Sequence, residues 1–138
     1  MIRGRLPSED IGTEVLISET FDRSQVAALR HAVAARAGAA GLTGDGLDDF
    51  VVAVNELLTN AVRHGGGTGH LTLWCEPRAI TCEVADHGAG VGRLRDGKPA
   101  PDEPGGWGLY LVRELTDTFA IKSGPEGTAV RISSRTPG

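Results

Sequence analysis

The stretch LDDFVVAVNELLTNAVRH, Leu47 to His64, decides how the rest of the chain is read. Its apolar residues Leu47, Phe50, Val51, Val54, Leu58, Ala61 and Val62 recur at i, i+3, i+4 and i+7, the spacing that lays one face of an α-helix on a core. The helix is expected to end near His64, where a glycine run begins. Glu56, Asn60 and His64 fall on it at i, i+4 and i+8. At 3.6 residues per turn each such step advances only about 40°, so these side chains form one polar stripe, expected to face away from the apolar side. A carboxylate there can accept a proton or orient a water, and an amide oxygen is a neutral, hard ligand suited to a Mg2+ ion that already carries phosphate and water. Taken by itself, the stripe reads more simply as a solvated helix face.

Upstream, residues 1–12 mix Arg, Pro, Ser and Asp without periodicity and read as a frayed lead-in. Thr13 to Glu19 alternate as a short strand. Asp22 and Gln25 have the spacing of a capping box, Phe21 and Val26 that of a hydrophobic staple, and a helix is expected from Arg23 to Ala37. Gly38 and Gly41 should stop it, and Asp45 is the expected N-cap of the Leu47–His64 helix.

Downstream, His70 to Glu76 and Ile80 to Asp86 are β-rich runs around Pro77, Arg78 and Ala79, the pattern of a hairpin. From His87 to Gly105 glycine, proline and charge replace apolar periodicity, which predicts a long loop. A third helix is expected over Trp107 to Leu115, then a closing hairpin of Phe119 to Ser123 and Thr128 to Ser133. This order fits an α+β fold, a two-layer sandwich with helices on one face of a sheet.

A chain of 138 residues suits one domain, here 13–135. Its net charge of −4 argues against the broad basic surface that binds nucleic acid. No apolar run approaches the roughly 18 residues of a membrane span, and no signal-peptide pattern opens the chain, so a soluble, cytoplasmic protein is expected. Cys75 and Cys82 lack zinc-site spacing and read as reduced, half-buried strand residues. The 20 glycines are about twice the ordinary share and cluster, which points to specialised loops.

Two of those clusters carry chemistry. Asp86-His-Gly88-Ala-Gly90 ends a predicted strand, where a carboxylate can accept from an exocyclic amine while glycines let a flat ring approach the backbone. Gly105-Gly106-Trp107-Gly108-Leu109 leads into a helix, whose first N–H groups are a ready site for phosphate oxygens. Each motif alone has an ordinary structural reading, a turn in one case and a flexible helix start in the other. Their order and spacing, with the helix stripe first, make that coincidence improbable.

In this combination Glu56-Leu-Leu-Thr-Asn60-Ala-Val-Arg-His64 resembles the N box of the GHKL ATPases, Asp86-His-Gly-Ala-Gly90 their G1 box and Gly106-Trp-Gly108-Leu109 their G2 box. Within that superfamily the short chain with Glu-x-x-x-Asn is similar to the bacterial anti-sigma factor serine kinases. The resemblance implies a Bergerat-type sandwich with a mixed, mostly antiparallel sheet, binding ATP and Mg2+. It implies Glu56 as the base for the acceptor hydroxyl, Asn60 as a Mg2+ ligand and Asp86 as the adenine-amine acceptor. Gly88 and Gly90 would shape the adenine pocket, Gly106, Gly108 and Leu109 would present backbone to phosphate, and Thr128 would supply the hydroxyl beside Asp86. The ATP lid would span about 91–104, with Arg93, Arg95 and Lys98 as equal candidates for phosphate contact.

The activity so implied is phosphorylation of a serine or threonine on an anti-anti-sigma factor, coupled to sequestration of a sigma factor. A nucleotide-gated binding module without kinase activity is the alternative, and Glu56 favours the kinase. A detached histidine-kinase catalytic domain fits less well. His31 lacks phosphoacceptor context and reads as a surface or packing residue, and whether the chain pairs as a homodimer is left open.

Overall fold

The computed structural model describes residues 13–87 and 106–137, excluding the side chains of 106–108. The expected lead-in at 1–12, the lid and Gly88 and Gly90 lie outside the described residues. The elements run β1 (Glu14–Asp22), a 3-10 turn (Arg23–Gln25), α1 (Val26–Ala39), α2 (Gly44–His64), β2 (Thr68–Glu76), β3 (Ala79–Asp86), α3 (Gly106–Leu115), β4 (Thr118–Gly124) and β5 (Gly127–Arg135). The strands form one sheet in the order β1-β2-β3-β5-β4, every neighbouring pair antiparallel. This is the expected α+β sandwich, except that the sheet is antiparallel throughout the described residues where the resemblance implies a mixed one, because every pair of neighbouring strands runs in opposite directions. No helix among the described residues is long and apolar enough to cross a membrane.

The core follows from the two periodicities. On the sheet, Leu71 and Leu73, Ile80, Cys82 and Val84, and Val130 and Ile132 alternate inward. They meet Phe50, Ala53, Val54, Leu57, Leu58 and Ala61 of α2, while Leu29, Val33 and Ala37 of α1 and Leu109 and Val112 of α3 complete the cluster. Helix α2 is thus the keystone, touching β2, β3 and β5 as well as both other helices. On the opposite face Trp74 is still only 3% exposed. Its Nε1 donates to Glu76 Oε2 at 2.9 Å, and the Arg131 guanidinium lies 5.0 Å from its ring centroid, held there by Glu83 at 2.8 Å.

Local signals explain most element ends, with instructive departures. The capping box forms, Ser24 N donating to Asp22 Oδ1 at 2.9 Å and Asp22 N to Gln25 Oε1 at 3.0 Å. It opens a 3-10 turn before α1, so the regular helix begins at Val26 instead of Arg23. Gly38 does not end α1. The stop is a Schellman motif, with Leu42 N donating to Ala37 O and Gly41 N to Gly38 O, and Gly41 takes the positive φ of 119° that this turn requires. The N-cap of α2 is Thr43, not Asp45; Asp45 sits inside the first turn, where its charge favours the helix dipole. Cys75 is half-buried as expected, but Cys82 is fully buried, and desolvation, with a smaller contribution from Glu83, pushes its thiol above the usual range.

Candidate functional site

The polar stripe of α2 does not face away from the core. Its drift of about 40° per step carries it sideways, so that by His64 it has swung into the angular range of the buried Ala53 and Leu57. Glu56, Asn60 and His64 are all half-buried in consequence. Asn60 Nδ2 and His64 Nε2 are buried without a hydrogen-bond partner among the described residues. Two such atoms one turn apart are costly in a finished core and natural in a site that awaits a polar ligand.

Asp86 ends β3, half-buried, directly across from Thr128 of β5. The pairing lets Thr128 N donate to Asp86 Oδ1 at 3.3 Å, which steers the carboxylate. Thr128 is only 5% exposed, and its hydroxyl lies 3.0 Å from Ser123 Oγ across the β4–β5 ladder. Two residues of this site have no separate signal in the sequence. Ser123 is one hydroxyl among many until the register sets it against Thr128. Gly65 looks like an ordinary helix terminator, yet at the C-cap of α2 it brings the helix end against the Asp86 side chain.

Helix α3 packs along α2. Its first residue is Gly106, so Gly106 and Gly108 lie in the first turn, where backbone N–H groups have no partner in their own helix. Leu109, 4% exposed, anchors that turn in the core. The structure therefore brings Asp86 against Gly65, the residue after His64 at the end of the stripe, and packs α3, which begins at Gly106, on the same helix. His31 is exposed on α1, away from these groups in the sequence and unconnected to them by any described bond.

A strand-end carboxylate, a half-buried polar stripe and a glycine-rich helix start are thus all borne by or packed on α2 in this α+β sandwich. A family profile described as "Histidine kinase-like ATPase domain" matches residues 20–134, and the chain belongs to that family, on its anti-sigma factor kinase side. It is 31% identical over 104 residues to an anti-sigma F factor of Clostridium acetobutylicum, covering 68% of this chain and 73% of the relative. A serine-protein kinase RsbW of Halalkalibacterium halodurans is 31% identical over 110 residues, covering 70% and 68%. The anti-sigma F factor of Bacillus subtilis is 27% identical over 103 residues, covering 66% and 70%.

Proposed function

We propose that this chain is an ATP- and Mg2+-dependent protein serine/threonine kinase of the anti-sigma factor type, which phosphorylates an anti-anti-sigma partner and sequesters a sigma factor. The observation that carries the reading is Glu56 standing one helical turn before Asn60 on the half-buried flank of α2. Binding a nucleotide needs an acceptor for its base and donors for its phosphates; it does not need a carboxylate at that place. Glu56 would take the proton of the acceptor hydroxyl as that oxygen bonds to the γ-phosphorus and ADP leaves.

Asp86 would accept from the adenine amine, with Thr128 beside it and Gly88 and Gly90 giving the ring room. Gly106, Gly108 and Leu109 would offer backbone N–H groups to the phosphates, under a lid formed by residues 91–104 of a single domain, 13–135. The residues fit a Mg2+ ion that arrives with the nucleotide. Among the described residues no group of three His, Cys, Asp or Glu could hold a metal alone. Asn60 Nδ2 is buried and has no hydrogen-bond partner among the described residues, and a half-turn of the amide would put Oδ1 in its place. Asn60 Oδ1 would then be the protein's ligand, and the ion would neutralise charge on the transferring phosphate.

The names of two relatives, an anti-sigma F factor and a serine-protein kinase, support a sigma-factor partner and a protein acceptor, and the anti-anti-sigma factor as that acceptor is part of this proposal. The test is direct: the protein is offered candidate anti-anti-sigma proteins with Mg2+-ATP, and transfer of phosphate is followed by mass spectrometry. An acid-stable phosphoserine or phosphothreonine is expected. Nucleotide-dependent partner binding with no transfer would replace the kinase by a nucleotide-gated binding module.

A further inference from the structure

Gly65 has no side chain, and only for that reason can the end of α2 reach Asp86. A Cβ at Gly65 would overlap the Asp86 carboxyl carbon, and would stand 2.6 Å from both Asp86 Cβ and the Ala61 carbonyl oxygen. Cβ contacts under 3.0 Å essentially do not occur, and neither Asp86 Cβ nor a helix carbonyl is the loose end of a flexible chain. Backbone conformation makes no such demand, because Gly65 has an ordinary φ of −108°. The need at this position is close approach.

On its other side the Asp86 backbone is paired with Thr128 of β5. Gly127, at φ 135°, leaves room for the Asp86 carbonyl oxygen, which a Cβ there would overlap. With Thr128 N donating to Oδ1, the carboxylate has little freedom to retreat if something is built at position 65. The side chain would have to swing out of its present place.

We propose that Gly65 is a positioning residue for base selection: by leaving its Cβ space to Asp86 it sets the carboxylate where a 6-amino purine is preferred over a 6-oxo purine. The inference rests on the reading of Asp86 as the adenine-amine acceptor. A 6-amino group offers N–H to the carboxylate, whereas a 6-oxo group sets lone pairs against it. That difference is felt only at hydrogen-bond distance, so moving the carboxylate erases it.

The test compares ATP and ITP binding by calorimetry for the wild type, Gly65→Ala, Asp86→Gly and the double variant. The wild type is expected to prefer ATP by roughly tenfold to a hundredfold, the worth of one charge-assisted hydrogen bond. Asp86→Gly should bring the ratio near unity. Gly65→Ala should also lower the ratio, by on the order of tenfold, through weaker ATP binding with ITP nearly unchanged. The double variant should match Asp86→Gly, since glycine at 86 removes the Asp86 side-chain atoms that a Cβ at 65 would strike and leaves only the Ala61 carbonyl contact. A wild-type ratio in Asp86→Gly would sink the adenine reading itself. If Asp86→Gly loses selectivity while Gly65→Ala keeps it, or loses ATP and ITP equally, the role of Gly65 is overturned. Should Gly65→Ala fail to fold by circular dichroism, the double variant decides. Recovery of the fold supports a collision with Asp86, and joint failure assigns the glycine to the Ala61 carbonyl instead and overturns the proposal.

Discussion

Replacing Asp86 by alanine takes a charged acceptor from the half-buried end of β3 and leaves its backbone pairing with Thr128 in place. If Asp86 binds the adenine amine, the loss is about 1.5 to 3 kcal/mol, or roughly ten- to a hundredfold in ATP affinity. Calorimetry on the folded variant measures it, and unchanged affinity would remove Asp86 from the site. Asn60→Ala should act differently. Its amide is assigned to the metal, so affinity for Mg2+-ATP should fall much more than affinity for ATP in EDTA. Equal losses in the two titrations would make Asn60 a packing residue, and its unpaired Nδ2 would need another explanation. These side chains were legible in the sequence because their chemistry and helical or strand-end spacing are local properties. Gly65 and Ser123 were not, because what matters is which atoms the fold sets beside them, Asp86 in one case and Thr128 in the other.

The junction of β1 and α1 shows what local chemistry controls at the level of elements. Asp22 accepts from the Ser24 hydroxyl at 2.6 Å and from Ser24 N at 2.9 Å, and these bonds hold its carboxyl below the usual aspartate value of 3.8. A carboxyl whose pKa is depressed on folding contributes stability above its unfolded pKa, and loses that contribution as pH falls from there through the lower folded value. Asp22→Asn should therefore flatten the acid side of the stability profile below about pH 4, read from thermal melts across pH. A profile identical to the wild type would mean that the capped turn is not coupled to global unfolding. This capping box was readable from Asp22 and Gln25 alone, as was α2 from its apolar period. The drift of the Glu56–His64 stripe toward the core was less so, since a wheel gives angles but not which flank a third helix will cover. For the same reason Asp45 looked like a cap: residue type suggested it, while the close of α1 through Gly41 and Leu42 placed Thr43 at the helix start.

For the whole molecule the question is whether its nucleotide is consumed or only sensed, and α2 is where the two readings part. The helix fills the core with one face and carries Glu56 and Asn60 on its flank, so large changes there would confuse stability with function. Glu56→Gln avoids this, because it keeps size and hydrogen-bonding capacity while removing basicity. For a kinase that uses Glu56 as general base, the variant should bind ATP nearly as the wild type does and transfer phosphate about two to four orders of magnitude more slowly. Some transfer should survive, since positioning and metal supply much of the catalysis. Single-turnover transfer to an anti-anti-sigma acceptor, with ATP affinity measured on the same preparation, separates the cases. Weakened ATP binding with proportionate loss of transfer would give Glu56 a role in holding the nucleotide. Unchanged transfer would place the base elsewhere. A wild-type protein that binds its partner only in the presence of nucleotide, yet transfers nothing in either form, would be the gated binding module, with Glu56 a half-buried carboxylate that takes no part in transfer.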